Sequence, residues 1–210
     1  MSKKATGQGD GAGREAPKAR PVRADAQRNS DALLEAALAV FTTSGVDAPV
    51  REIAVRAGVG VGTVYRHFPE RSDLIAAVFR REIDACADAA PVLATEHEPG
   101  EALARWIQRY VAFIATKRGL AAALYSGNPA YDTLPAYFEK RLLPALRTLL
   151  DAAAAAGEMR ADVEPNDLLG AVARLCMQAN DKGAANARRM VALLIDGLRY
   201  GASRSADTRS

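Results

Sequence analysis

From about position 26 to its end, the chain repeats apolar residues at helical spacing. Leu33, Ala37 and Phe41 fall at i, i+4 and i+8, with Leu34 and Leu38 one step round, which predicts a first helix with one buried stripe, ending at Gly45. Asn29, Ser30 and Asp31 supply capping candidates before that stripe. Further helices are predicted over 50–57, 61–68, 71–90, 100–117, 119–126, 133–156, 165–181 and 186–201. They are punctuated by Gly58, Pro69, Pro91, the Pro99-Gly100 pair, Gly119, Gly127 with Pro129, Gly157 and Gly183. No segment alternates with period two for long, and no Asn-Gly or Asp-Gly turn joins two β-rich runs. The predicted fold class is therefore all-α.

Composition changes this picture mainly at the N-terminus. Residues 1–24 mix Gly7, Gly9, Gly11, Gly13, Pro17 and Pro21 with scattered charges and cannot bury a core, so a disordered basic tail is expected there. Of the net charge of +3, residues 1–30 hold seven Lys/Arg against three acids, residues 31–80 five against six, and the remainder balances. The basic excess points to a polyanion near the tail, or else to a solubilising leader. With 49% hydrophobic residues a wholly disordered chain is excluded, and no apolar run approaches a bilayer span. The first 30 residues hold no apolar block of a secretory signal, so a cytoplasmic protein without membrane contact is expected. Cys86 and Cys176 stand ninety residues apart and only His67 and His97 accompany them, which predicts neither a metal site nor a cofactor bound through thiolates.

Function is concentrated in Val50 to Phe68, VREIAVRAGVGVGTVYRHF. A short helix ending at Gly58, a turn and a second short helix make a helix-turn-helix. Ala54 is small where the helices cross, Gly58 tolerates φ > 0, and Val64, ten residues beyond Ala54, packs the second helix on the first. Ile53, Val59 and Phe68 complete a small core with Leu38 and Phe41. Gly58, Gly60 and Gly62 imitate a nucleotide-binding loop, but no strand precedes them and no Lys-Ser or Lys-Thr follows. No G-x-S-x-G nucleophile elbow is present either. On the second motif helix Val61, Gly62, Thr63, Arg66 and His67 lie outside the Val64–Phe68 stripe, and the Tyr65 hydroxyl is able to reach a phosphate. Val61 suits a thymine methyl, and an Arg suits guanine O6/N7.

The segment from Arg28 to about Phe79 resembles the DNA-binding domain of the TetR family of ligand-responsive transcriptional regulators. The matching positions are Phe41 to Gly45, Ile53-Ala54, Ala57-Gly58-Val59, Gly62 to Tyr65, His67-Phe68, Arg71 and Leu74. Ala48-Pro49, Glu70 and Ser72 depart from the family pattern, the first at the site of a capping Ser or Thr. The resemblance implies an N-terminal three-helix DNA-binding domain with a helix-turn-helix over 25–70. It also implies a C-terminal helical ligand-binding and dimerisation domain over 71–203, with a short tail over 204–210. It implies base reading by Arg51 and Arg66 and phosphate anchoring by Thr63, Tyr65, His67 and Arg71. Val61 and Gly62 complete the DNA-facing edge.

Seven of the twelve aromatics lie between Trp106 and Phe138. Leu103, Trp106, Ile107, Tyr110, Phe113 and Ile114 share one helix face, which serves either a plain core or a cavity wall. The resemblance implies a pocket for a small, largely apolar effector, with Trp106, Tyr110, Phe113, Tyr125, Phe138 and Met177 as lining candidates. Gln108, Arg109, Asn128 and Asn180 are polar candidates. Leu168, Leu169, Val172, Leu175, Cys176 and Met177 on one helix, and Met190, Val191, Leu194, Ile195 and Leu198 on the next, give two broad apolar faces. By resemblance these last two helices pair with their copies in a homodimer that presents two recognition helices to a palindromic operator.

The functional expectation is a one-component regulator, a repressor released from a double-stranded DNA operator by its effector. An activator of the same family and an effector-independent DNA-organising protein are the alternatives, and no catalytic constellation supports an enzyme. Effector binding is expected to shift the helix that runs from Arg71 to the neighbourhood of Cys86, changing the spacing of the two heads. Lys18, Arg20 and Arg23 are candidates to follow a groove.

Overall fold

The computed structural model describes residues 19–177 and 183–207, with side chains from 29 onward except at 118, 119, 122, 177, 183, 184 and 200–207. Among the described residues the fold is helical throughout, without a strand. In chain order the helices are α1 (Ala19–Ser44), α2 (Val50–Ala57), α3 (Val61–His67), α4 (Arg71–Glu96), α5 (Pro99–Gly119), α6 (Ala121–Leu124), α7 (Leu134–Ala155), α8 (Pro165–Met177) and α9 (Gly183–Asp207). A 3₁₀ turn, Pro129–Tyr131, precedes α7.

The apolar periodicity explains most of this arrangement. Leu33, Ala37 and Phe41 are buried on α1, while Leu34 and Leu38 are half-buried beside them. They meet Ile53 and Ala54 of α2 and Val64 of α3 in one hydrophobic core, forming the N-terminal head. The core continues through Leu74, Ile75, Val78, Phe79 and Ile83 of α4 into the C-terminal part, where α4 packs against α5 and α7, and α8 lies between α5 and α9.

Several boundaries differ from expectation. Helix α1 starts at Ala19, so Asn29, Ser30 and Asp31 lie within it rather than capping it. Residues 24–28, Ala-Asp-Ala-Gln-Arg, oppose helix little, and Pro21 falls in the first turn, where a missing N–H costs nothing. Helix α9 runs to Asp207, beyond the expected end of the domain at 203. Pro91 does not end α4, which continues to Glu96. An interior proline costs roughly 3 kcal/mol. Burial of Ile83, Cys86, Ala87 and Ala90 holds the helix up to the proline, and beyond it Leu93 packs against the core while the other residues of the last turn are exposed.

A polar clasp reinforces the α4–α7 contact. The Tyr137 hydroxyl donates to the Asp84 carboxylate at 2.8 Å, Arg141 Nε donates to Asp84 Oδ1 at 2.6 Å, and its Nη2 reaches Asp88 Oδ1 at 2.6 Å. These charges are half-exposed or exposed, so the clasp sets the register of the two helices more than it adds stability.

Candidate functional site

The helix-turn-helix is built by backbone geometry at the turn. Gly58 sits at φ +69° and ψ +26°, and its N–H and that of Val59 return to Val55 and Ala54 carbonyls, closing α2. A Cβ at Gly58 would touch nothing, so the glycine is required by its dihedral angles and not by crowding. Gly60 is extended and starts α3, whose seven residues bury only Val64 fully. Val61 and Tyr65 are 37% and 52% exposed and stand one turn apart; Gly62 and Arg66 form the adjacent exposed row. His67 is exposed and Thr63 half-buried. Thus α3 presents an edge with two polar hydroxyls, one guanidinium and one side-chain-free position.

Arg51 lies on α2, exposed in a shallow groove with Pro49, Glu52, Val55 and Arg56, beside the end of α1. It therefore projects from the helix that precedes the exposed α3 edge. Arg71 is placed differently from the other expected phosphate contacts. It is half-buried at the start of α4, and its Nη1 donates to the Val46 carbonyl in the α1–α2 loop. Its guanidinium thus ties the head to α4. The unusual Glu70 is accommodated at the same junction: its backbone N–H donates to Asp73 Oδ2 at 3.1 Å, an acidic first-turn arrangement that suits a helix N-terminus.

In the C-terminal part, Phe79 of α4 faces an apolar cavity of about 190 Å³ whose other walls include Tyr131, Leu134 and Phe138. A smaller lobe of about 60 Å³ is bounded by Tyr110, Phe113, Ile114 and Ala173. Lys117, Tyr125 and Phe138 line both. A third cleft, about 390 Å³ and open to solvent, separates Val46, Asp47 and Arg71 of the head from Ala123, Ser126 and Asn128. Tyr131 borders this cleft as well as the larger lobe. Burial pushes the Tyr131 phenol upward, with the Arg71 charge pulling against it.

Sequence comparison agrees with this arrangement. Residues 33–78 match the family model described as bacterial regulatory proteins, tetR family, and residues 98–200 match the SbtR-like transcriptional regulator C-terminal domain. A solved TetR transcriptional regulator of Streptomyces coelicolor is 40% identical, with 80% of this chain and 97% of that chain covered and a TM-score of 0.71. The chain belongs to the TetR family of transcriptional regulators. A TetR regulatory protein of Mycobacterium vanbaalenii is 37% identical over 85% of this chain and 99% of its own, with a TM-score of 0.66. An HTH-type transcriptional regulator of Staphylococcus aureus is 39% identical over 64 residues, which span 30% of this chain and 35% of that relative. These relatives are DNA-binding transcriptional regulators, not enzymes.

Within this TetR-family protein the expected lining residues separate into three groups. Tyr110, Phe113, Tyr125 and Phe138 border the lobes. Trp106 does not: it is fully buried, its Nε1 donates to the Cys86 carbonyl at 2.9 Å, and its ring stacks on Tyr110 at 6.0 Å. It supports the wall from behind. The Met177 side chain and Asn180 lie outside the described residues. Gln108 and Arg109 are exposed, and Asn128 Oδ1 accepts from the Ala130 N–H in the 3₁₀ turn.

Phe79, Lys117 and Tyr131 were not legible as lining residues, because they come from three separated segments. The clustering of aromatics alone could have suggested Tyr131. Burial pushes the Tyr110 phenol upward and raises the Cys86 thiol to about 12, with Arg109 opposing the latter shift. Neither group is an acid or base of use near neutral pH. Among the described residues no cluster of His, Cys, Asp or Glu suits a metal ion, and no helix is long and apolar enough to cross a membrane.

Proposed function

We propose that the protein is an operator-binding repressor that acts as a homodimer and releases DNA when a small, largely apolar effector enters the two-lobed cavity. The observation that carries this reading is the continuity from cavity to head: Tyr131 borders the effector lobe and the head cleft, and Arg71 spans from that cleft to the Val46 carbonyl. An effector that displaces Tyr131 or Phe79 acts on the start of α4 and hence on the orientation of α3. A ligand favouring the orientation unable to grip both half-sites must weaken operator binding by linkage.

At the DNA edge, Arg51 and Arg66 read guanine, Val61 meets a thymine methyl, and Thr63, Tyr65 and His67 hold phosphates. Gly62 lets the α3 backbone approach closely. Arg71 serves by holding the α1–α2 loop. The dimer rests on α8 and α9. Most of the apolar residues expected to form that interface face inward: Leu168, Leu169, Val172, Cys176, Val191, Ile195 and Leu198 are buried within one protomer. The strip left outside is narrower, with Met190 38% and Leu193 66% exposed and Leu194 half-buried on the other side of Met190. To meet successive major grooves, a twofold dimer formed on this strip has to hold its two α3 helices about 34 Å apart.

Footprinting on genomic fragments from around the protein's own gene tests the reading. A discrete protected palindrome is expected; uniform protection of unrelated fragments would indicate a DNA-organising protein instead. Tyr131→Ala should keep operator affinity while abolishing release by an effector that displaces wild type.

A further inference from the structure

Resting on that reading of the cavity as the effector site, we infer that its ligand is a monocyclic aromatic carboxylate, with Lys117 as the counter-ion. Size gives the first constraint. An apolar cavity of ~150 Å³ accepts one benzene ring, so the larger lobe, at about 190 Å³, holds one ring-sized body. The adjoining lobe of about 60 Å³ has room for a small substituent and no more. The walls give the second constraint. Phe79, Tyr131 and Phe138 present ring surfaces suited to a flat aromatic partner.

Charge decides the polar end. Two described charged side chains line the lobes, Lys117 and Glu139. Glu139 is exposed and borders only the larger lobe; Lys117 is half-buried and borders both. The less solvated of the two charges is the less screened, so Lys117 acts more strongly on a bound ligand. Lys117 Nζ also stands 5.8 Å from the centroid of the Tyr125 ring. A cationic ligand would therefore find that aromatic face occupied by a like charge, whereas a carboxylate gains an ammonium that has no carboxylate partner among the described residues.

The test uses the full chain and its single tryptophan. Trp106 stacks on Tyr110, which lines the smaller lobe, so its fluorescence reports occupancy. Wild type is titrated with benzoate, benzamide and benzylamine at pH 7. Benzoate should bind at least about tenfold more tightly than the other two. Lys117→Met should bring benzoate and benzamide within about twofold, while Glu139→Gln should keep the preference. Equal or tighter binding of benzamide or benzylamine, an undiminished benzoate preference in Lys117→Met, or no saturable signal with benzoate up to ~10 mM would overturn the assignment. Operator affinity is measured in parallel on the same samples. Intact DNA binding with no benzoate preference defeats the ligand class alone, whereas tight benzoate binding that leaves operator affinity unchanged defeats the regulatory coupling.

Discussion

Gly62→Ala separates folding from DNA binding at a single atom. Gly62 is the second residue of α3, and a Cβ built on it would meet no heavy atom within 4 Å beyond its chain neighbours and its own helix backbone. Its φ is outside the left-handed region, so alanine meets no steric or torsional penalty in the free protein. Glycine in a helix is less favourable than alanine by about 0.8–1 kcal/mol, and the position near the helix start reduces this to roughly 0.5–1 kcal/mol. For a chain of this length that gain corresponds to a melting temperature higher by about 1–4 °C. If the Gly62 edge presses on DNA, the added methyl must instead overpack the interface, at about 1–3 kcal/mol. The expected loss of operator affinity is thus on the order of tenfold. Thermal unfolding and fluorescence anisotropy on the footprinted operator, at one salt concentration, read the two effects. The dependence of affinity on salt should not change, because no charge is altered. A variant that is more stable and binds the operator like wild type would refute the close approach, and a less stable variant would refute the open space around Gly62.

Other perturbations address the remaining parts of the molecule. Leu193→Glu should shift the dimer to monomer in sedimentation, since burying a leucine contributes about 1.5–3 kcal/mol and twofold symmetry counts it twice; an unchanged dimer moves the interface elsewhere. Trp106→Phe loses the bond to the Cys86 carbonyl and part of a buried ring, so urea unfolding should report a destabilisation of about 1–3 kcal/mol; a neutral effect would mean that the indole N–H is dispensable. The native Cys86 thiol titrates near 12 against 9.0 for the unfolded chain. Its contribution to stability is full below pH 9.0 and is lost as pH rises toward about 12, because the unfolded chain sheds its proton first. The urea midpoint should fall between pH 8 and 10 and fall less in Cys86→Ala; identical slopes would contradict the shift. Arg71→Met, which unties the Val46 loop, should weaken operator binding without lowering benzoate affinity, and a loss of both would make Arg71 part of the ligand site instead.

The helix-turn-helix was legible in the chain, whereas the start of α1 at Ala19 and the Arg71 bond to the Val46 carbonyl were not. The helices at 50–57 and 61–67, the left-handed Gly58, and the buried Ile53, Ala54 and Val64 follow from local rules: apolar period, one obligatory dihedral and one close crossing. The α5 stripe was legible for the same reason, since Leu103, Trp106, Ile107, Tyr110, Phe113 and Ile114 are all buried. Periodicity assigns a residue to a face, and a face is a local property.

What a face meets is not local. Trp106 and Tyr110 share one stripe, yet one is sealed against the Cys86 carbonyl and the other borders a cavity, because α4 covers the first and a gap among α7, α8 and α6 opens beside the second. Pro91 sits mid-helix because neighbours compensate for its lost bond, and no proline rule can anticipate neighbours. Leu193, the most exposed leucine among the described residues of α9, lies two residues from both Val191 and Ile195, which one protomer buries itself. Local patterning in the chain is enough to set the helices, their inward stripes and the exposed edge of α3. Where the cavity opens, that Lys117 borders both of its lobes, and that Tyr131 borders cavity and head cleft alike follow from packing between helices, because segments distant in sequence supply those walls.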